Sequence, residues 1–83
     1  MNISIKDLKN KITYRSLYRG SKEMDSLLSS FLKKYINTFN DKQLYDLLDL
    51  INIDDENLLK FNQGYQPTVE IKKNKVSELF KNY

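Results

Sequence analysis

The chain has 83 residues, 14 of them lysine or arginine and 11 aspartate or glutamate, for a net charge of +3, and it contains neither cysteine nor histidine. That length supports a single domain, residues 1–83, with one modest core to which every element must give an apolar face. Disulfides, thiolate metal sites and cysteine nucleophiles are excluded, the usual general base and metal ligand is missing, and two glycines are too few for a phosphate-cradling loop, so the chain is not expected to be an enzyme.

Read in chain order, the pattern is helical throughout. Ser4 with Asp7 three residues later resembles a capping box, and Ile5, Leu8 and Ile12 then share one face, which predicts a first helix running to about Arg19. Met24, Leu27, Leu28, Phe31, Leu32, Tyr35, Ile36 and Phe39 form a wide apolar stripe over more than four turns of a second helix, and such a stripe belongs to a core. Asn40 and Gln43 predict the cap of a third helix carrying Leu44, Leu47, Leu48 and Ile51. Asp54 and Asp55 offer caps for a short fourth helix with Leu58 and Phe61, which stops near Gly64, and Pro67 marks the turn that follows. A last helix is predicted from near Thr68, using Val69, Val76, Leu79, Phe80 and Tyr83, although Ile71 and the Lys72-Lys73 pair fit it less well. No strand alternation, repeat or low-complexity linker interrupts this pattern. The expected fold is all-α, a compact bundle of about five short helices joined by connections of a few residues.

Charge is unevenly spread. Residues 1–39 carry a net +5, residues 40–70 a net −5 and residues 71–83 a net +3. The acidic middle argues against the continuous basic face of a nucleic-acid binder. No apolar run exceeds two residues and the start of the chain has no apolar leader segment, so no membrane insertion is expected and a cytoplasmic location is predicted.

The first junction is the most informative stretch. Only Arg15 and Arg19 among the basic residues are arginines, and they are four residues apart, as are Tyr14 and Tyr18. A guanidinium offers a planar fork of donors that lysine lacks, and Tyr and Arg are the residue types that anchor protein interfaces. Gly20 breaks the pattern, with Glu23 and Asp25 beyond it. A plain capping role fits the same residues: Gly20 ends one helix or caps the next, Glu23 falls at the third helical position, and Arg19 with Glu23 forms an i,i+4 pair worth roughly 0.3–0.5 kcal/mol. A lysine-rich nucleic-acid binder and a helical adaptor for some other protein remain the alternative functions.

The run Tyr14-Arg15-Ser16 to Arg19-Gly20-Ser21-Lys22-Glu23-Met24-Asp25, with Leu27, Leu28 and Phe31 behind it, resembles the RGxxE signature of the succinate dehydrogenase flavinylation factors, small assembly proteins of bacteria and mitochondria. Asp54, Asp55, Leu58, Phe61, Gly64 and Pro67 extend the similarity, which covers roughly residues 8–70. The resemblance implies a five-helix protein that is not itself a catalyst. It implies binding to the flavoprotein subunit of succinate dehydrogenase, and often to that of fumarate reductase, and promotion of covalent FAD attachment to a histidine of the partner. On that reading the chain holds no cofactor of its own and is a monomer when free, in a bacterial cytoplasm. Arg19, Gly20 and Glu23 match the signature and Asp25 the acidic residue that follows it, and these four with Tyr14, Arg15 and Tyr18 are the expected partner-binding residues, Arg19 engaging a carboxylate or carbonyl of the flavoprotein. Two positions depart from the family pattern: Tyr18 stands where many members have a second basic residue, and Phe61 stands in the place of a tryptophan.

Overall fold

Each helix begins where a small polar side chain closes its first turn, as a computed structural model describing residues 4–17 and 19–83 makes visible. Ser4, Ser21, Asn40, Asp54 and Asn74 stand at the five N-caps, and each accepts a hydrogen bond from the backbone N–H three residues on. The helices are α1 (Ile5–Arg15), α2 (Lys22–Tyr35), α3 (Asp41–Ile51), α4 (Asp55–Asn62) and α5 (Lys75–Lys81). No strand occurs among the described residues. The result is the expected all-α bundle, a single globule with a radius of gyration of 12.1 Å.

α3 packs against both α1 and α5, and α4 against α5. The core joins Leu8 and Ile12 of α1, Met24, Leu28, Phe31 and Leu32 of α2, Leu44, Leu47, Leu50 and Ile51 of α3, Leu58 of α4, and Val76 and Phe80 of α5. Phe31 lies at the centre of an aromatic group, its ring edge-on to Phe80 at 5.2 Å and to Tyr83 at 5.3 Å and tilted against Tyr35 at 5.0 Å. Such offset and edge-to-face arrangements are the favoured ones for ring quadrupoles.

The third and fourth helices follow the sequence pattern. Asn40 and Gln43 form the predicted capping box, with side chain and backbone exchanging bonds of 2.9 Å in both directions. α4 closes at Gly64, whose φ of +84° suits glycine, with Tyr65 N–H donating to Lys60 O and Gly64 N–H to Phe61 O. This is the double-bonded left-handed stop that satisfies carbonyls otherwise left without partners.

Three expected boundaries move. α1 ends at Arg15 rather than near Arg19, because the Arg19 N–H leaves the helical ladder to donate to the Asp25 carboxylate at 2.8 Å, and the Arg15 carbonyl receives the Arg19 guanidinium. α2 ends at Tyr35, where Thr38 turns both its N–H and its hydroxyl onto the Tyr35 carbonyl. Phe39, placed on that helix by periodicity, instead enters the core from the connecting turn and stacks on Tyr35. α5 begins at Lys75 and not near Thr68. The Thr68 N–H and hydroxyl are both held by the Asn57 side-chain oxygen, which ties the segment after Pro67 to α4, and Asn74 with Ser77 builds the cap six residues later. Ile71 packs against the core from this extended segment, and Val69 stays exposed.

Candidate functional site

The junction between α1 and α2 is tied to the junction between α3 and α4 by one side chain. Arg19 donates from Nε to Asp55 Oδ1 at 2.6 Å, from Nη1 to the carbonyls of Ile51 at 2.8 Å and Arg15 at 3.1 Å, and from Nη2 to the carbonyl of Ile53 at 2.9 Å. Four of the five N–H groups of the guanidinium are therefore engaged within the chain. Its side chain is 13% exposed and that of Asp55 26%. The second carboxylate oxygen of Asp55 accepts from Gly20 N–H at 2.8 Å. Arg15, exposed at the end of α1, reaches the same loop and donates to Asn52 Oδ1 at 2.8 Å. Both arginines thus face residues 51–55.

The remaining motif residues divide between inside and outside. Asp25 is half-buried and holds the Arg19 N–H. Gly20 and Glu23 are exposed. Gly20 does not cap a helix, as Ser21 accepts the Met24 N–H and takes that place, so Glu23 sits at the second position of α2 and forms no capping box. The Arg19–Glu23 pair does not form, since the guanidinium faces Asp55 instead, and no ion pair among the described residues includes Glu23. Its charge stands at the positive end of the α2 dipole. Tyr14 is largely exposed. Tyr18, expected beside it, lies outside the described residues.

Among the described residues nothing demands glycine at position 20. A Cβ there would meet only Asp55 Oδ2, at an ordinary 3.4 Å, and the backbone is not in the left-handed region. Gly64 has the opposite character, with open space around it and a positive φ.

Sequence reasoning missed Asp55 and the carbonyls of Ile51 and Ile53. The adjacent pair Asp54-Asp55 carried the available signal, because a helix needs only one N-cap. Asp54 takes that role, accepting from Asn57 N–H at 3.2 Å and from the Asn57 amide at 2.9 Å, which holds its carboxyl below the usual range, the side-chain bond contributing most and the backbone bond next. Asp55 is thereby left for Arg19.

With this geometry in place, similarity to known proteins becomes decisive. The model of the family described as flavinator of succinate dehydrogenase matches residues 10–83. The chain belongs to this family. It is also 35% identical over 80 residues to the succinate dehydrogenase assembly factor 2, mitochondrial, of Danio rerio, covering 93% of this chain and 51% of that protein. The chain thus spans about half the length of the curated relative it matches. No solved structure matches it.

The flavinator family is one of assembly factors for succinate dehydrogenase. In this member no helix among the described residues is long and apolar enough to cross a membrane, and no group of three potential metal ligands gathers among them. A cleft of about 230 Å³ between α3 and residues 70–77 is lined by Asp46, Asp49 and Glu70 over Leu50, Ile53 and Ile71. Lys72 also lines this cleft, whose charged side chains therefore sum to −2.

Proposed function

We propose that the chain binds the flavoprotein subunit of succinate dehydrogenase, and that of fumarate reductase where one is present, and promotes covalent attachment of FAD to a histidine of that subunit. The observation that carries this reading is the family match over residues 10–83, which spans Arg19, Gly20, Glu23 and Asp25. The geometry adds a reason for the form of the motif. An exposed glycine that no described residue requires suits close approach by another backbone, and the exposed Glu23 carboxylate, in no ion pair among the described residues, suits a hydrogen-bond donor or cation on the partner.

Roles then follow from position. Gly20 and Glu23 meet the flavoprotein, Tyr14, Arg15 and Tyr18 flank that contact, and Arg19 with Asp25 keeps the junction in shape. Binding favours the flavoprotein conformation in which its histidine and the flavin are aligned, and the flavin ring supplies the chemistry. The chain is then a chaperone-like assembly factor without a catalytic residue, acting as a free monomer in the cytoplasm and holding no FAD itself.

Co-expression with the flavoprotein subunit of the same organism, followed by in-gel flavin fluorescence after denaturation, tests the reading. Covalent flavin should rise when the wild-type chain is present and fall back with Glu23→Ala at equal protein levels. Fluorescence indifferent to the chain would overturn the proposal, and full activity of Glu23→Ala would remove Glu23 from the contact.

A further inference from the structure

Asp55 lies outside the RGxxE run and is needed neither as the cap of α4 nor for the core. Its two oxygens nevertheless bind two consecutive residues of the motif, Oδ1 taking Arg19 Nε at 2.6 Å and Oδ2 taking Gly20 N–H at 2.8 Å. A carboxylate that bridges a guanidinium and the next backbone amide fixes the direction of the side chain and the plane of the peptide between them. Ser21 follows at once as the N-cap of α2, so the same bridge determines where the first turn of α2, and with it Glu23, stands relative to Gly20.

We infer that Asp55 is a positioning residue for flavoprotein binding: acting through Arg19 and Gly20, it holds the α1–α2 junction in its binding form without itself touching the partner. The inference rests on the function proposed above and names the part of the fold that shapes that surface, the start of α4. Among the described residues the junction backbone has few other restraints. Between Ser16 and Ser21 its backbone is held by Leu17 N–H to the Tyr14 carbonyl, Arg19 N–H to Asp25 and Gly20 N–H to Asp55. Loss of the Asp55 charge weakens the Gly20 bond and the Nε bond of Arg19, leaving the guanidinium on the carbonyls of Arg15, Ile51 and Ile53, and the junction then populates arrangements that do not bind. Apparent affinity falls by the fraction of molecules left in the competent form.

The test uses the full chain and the purified flavoprotein subunit, with affinities measured by calorimetry well below the melting temperature of every variant, so that lowered stability alone does not register. Asp55→Asn keeps the shape of the side chain and removes its charge. It should weaken binding about tenfold, in keeping with the loss of a charge-assisted bond, and should shift the Gly20 amide proton resonance of the free protein upfield with faster exchange. Glu23→Ala should leave that resonance in place. In the Arg19→Gln background, Asp55→Asn should cost clearly less than its roughly tenfold loss in the wild type, because the Arg19 arm of the bridge is already broken and the Gly20 arm alone remains to be lost.

Unchanged affinity in Asp55→Asn, or losses that multiply with those of Arg19→Gln, would overturn the inference, the second by showing that Asp55 meets the partner independently. If Asp55→Asn does not fold, Asp55→Glu carries the same comparison, since its longer arm displaces both contacts while keeping the charge. Failure of the wild-type chain to bind the flavoprotein would overturn the proposed function and this inference together, whereas wild-type binding with an indifferent Asp55→Asn sinks the inference alone.

Discussion

Arg19→Ala is expected to damage the free protein before any partner is present. The substitution removes four hydrogen bonds and leaves the Asp55 carboxylate and the carbonyls of Ile51 and Ile53 without their donor. Bonds to charged groups contribute about 1.5–3 kcal/mol each in favourable cases, but water can replace part of the loss at Arg15 and Asp55, so a net cost of about 2–4 kcal/mol is reasonable. An 83-residue domain has roughly 4–12 kcal/mol in all, at about 0.05–0.15 kcal/mol per residue. The variant should therefore lose a large share of its stability, with a melting temperature lower by roughly 10–25 °C. Urea titration followed by far-UV circular dichroism measures the difference, with Glu23→Ala as the control expected within about 0.5 kcal/mol of wild type. A cost for Arg19→Ala below about 0.5 kcal/mol, the level of an exposed ion pair, would refute the argument and return the guanidinium to solvent and to the partner.

Two further outcomes follow from the fold. Phe31→Ala should cost about 3–5 kcal/mol, because Phe31 is fully buried against Phe80, Tyr35 and Tyr83 and the cavity cannot collapse around three other rings; a urea-derived loss under about 1.5 kcal/mol would show that the aromatic group repacks. Asp54, whose folded carboxyl is held below its unfolded value, contributes stability that is present above about pH 4 and lost as the pH falls through the lower folded value, since the unfolded chain takes up the proton first. Asp54→Asn, which can still cap α4, should lose less stability between pH 7 and pH 3 than the wild type, and parallel urea midpoints for the two proteins at both values would contradict this.

What could be read in the sequence was local. The third helix, with its Asn40–Gln43 box, and the Gly64 stop of the fourth were legible because the residues concerned lie within five positions of one another. The ends that moved were decided at a distance or by competition for one donor. Thr68 heads no helix because Asn57, eleven residues earlier, holds its N–H and hydroxyl, and α1 stops short of Arg19 because Asp25 takes the Arg19 amide. Phe39 kept its place in the core although the helix beneath it ended, since apolar periodicity reports burial more faithfully than backbone conformation. For the site, the sequence gathered Arg19, Gly20, Glu23 and Asp25 but not Asp55, which lies 36 residues from Arg19. Its traces were the spare carboxylate of the Asp54-Asp55 pair and the opposite charges of the first half and the middle of the chain.

That charge pattern and the rarity of arginine have a common physical origin. Lysine supplies most of the cations of this chain, as in the exposed i,i+4 pair of Lys42 with Asp46, where a point charge suffices. The two arginines stand where donors must be aimed at fixed acceptors on the α3–α4 loop, Arg15 at the Asn52 amide oxygen and Arg19 at two carbonyls and a carboxylate. A lysine at position 19 would bring the charge without the fork, and one ammonium cannot meet acceptors spread across the plane of a guanidinium. The identity of that residue is thus explained by contacts within this chain, whereas among the described residues Gly20 meets no contact that requires it and Glu23 is favoured only by the start of the α2 dipole. On the function proposed above, recognition of the flavoprotein falls to Gly20 and Glu23, and Arg19 serves it by keeping them in place.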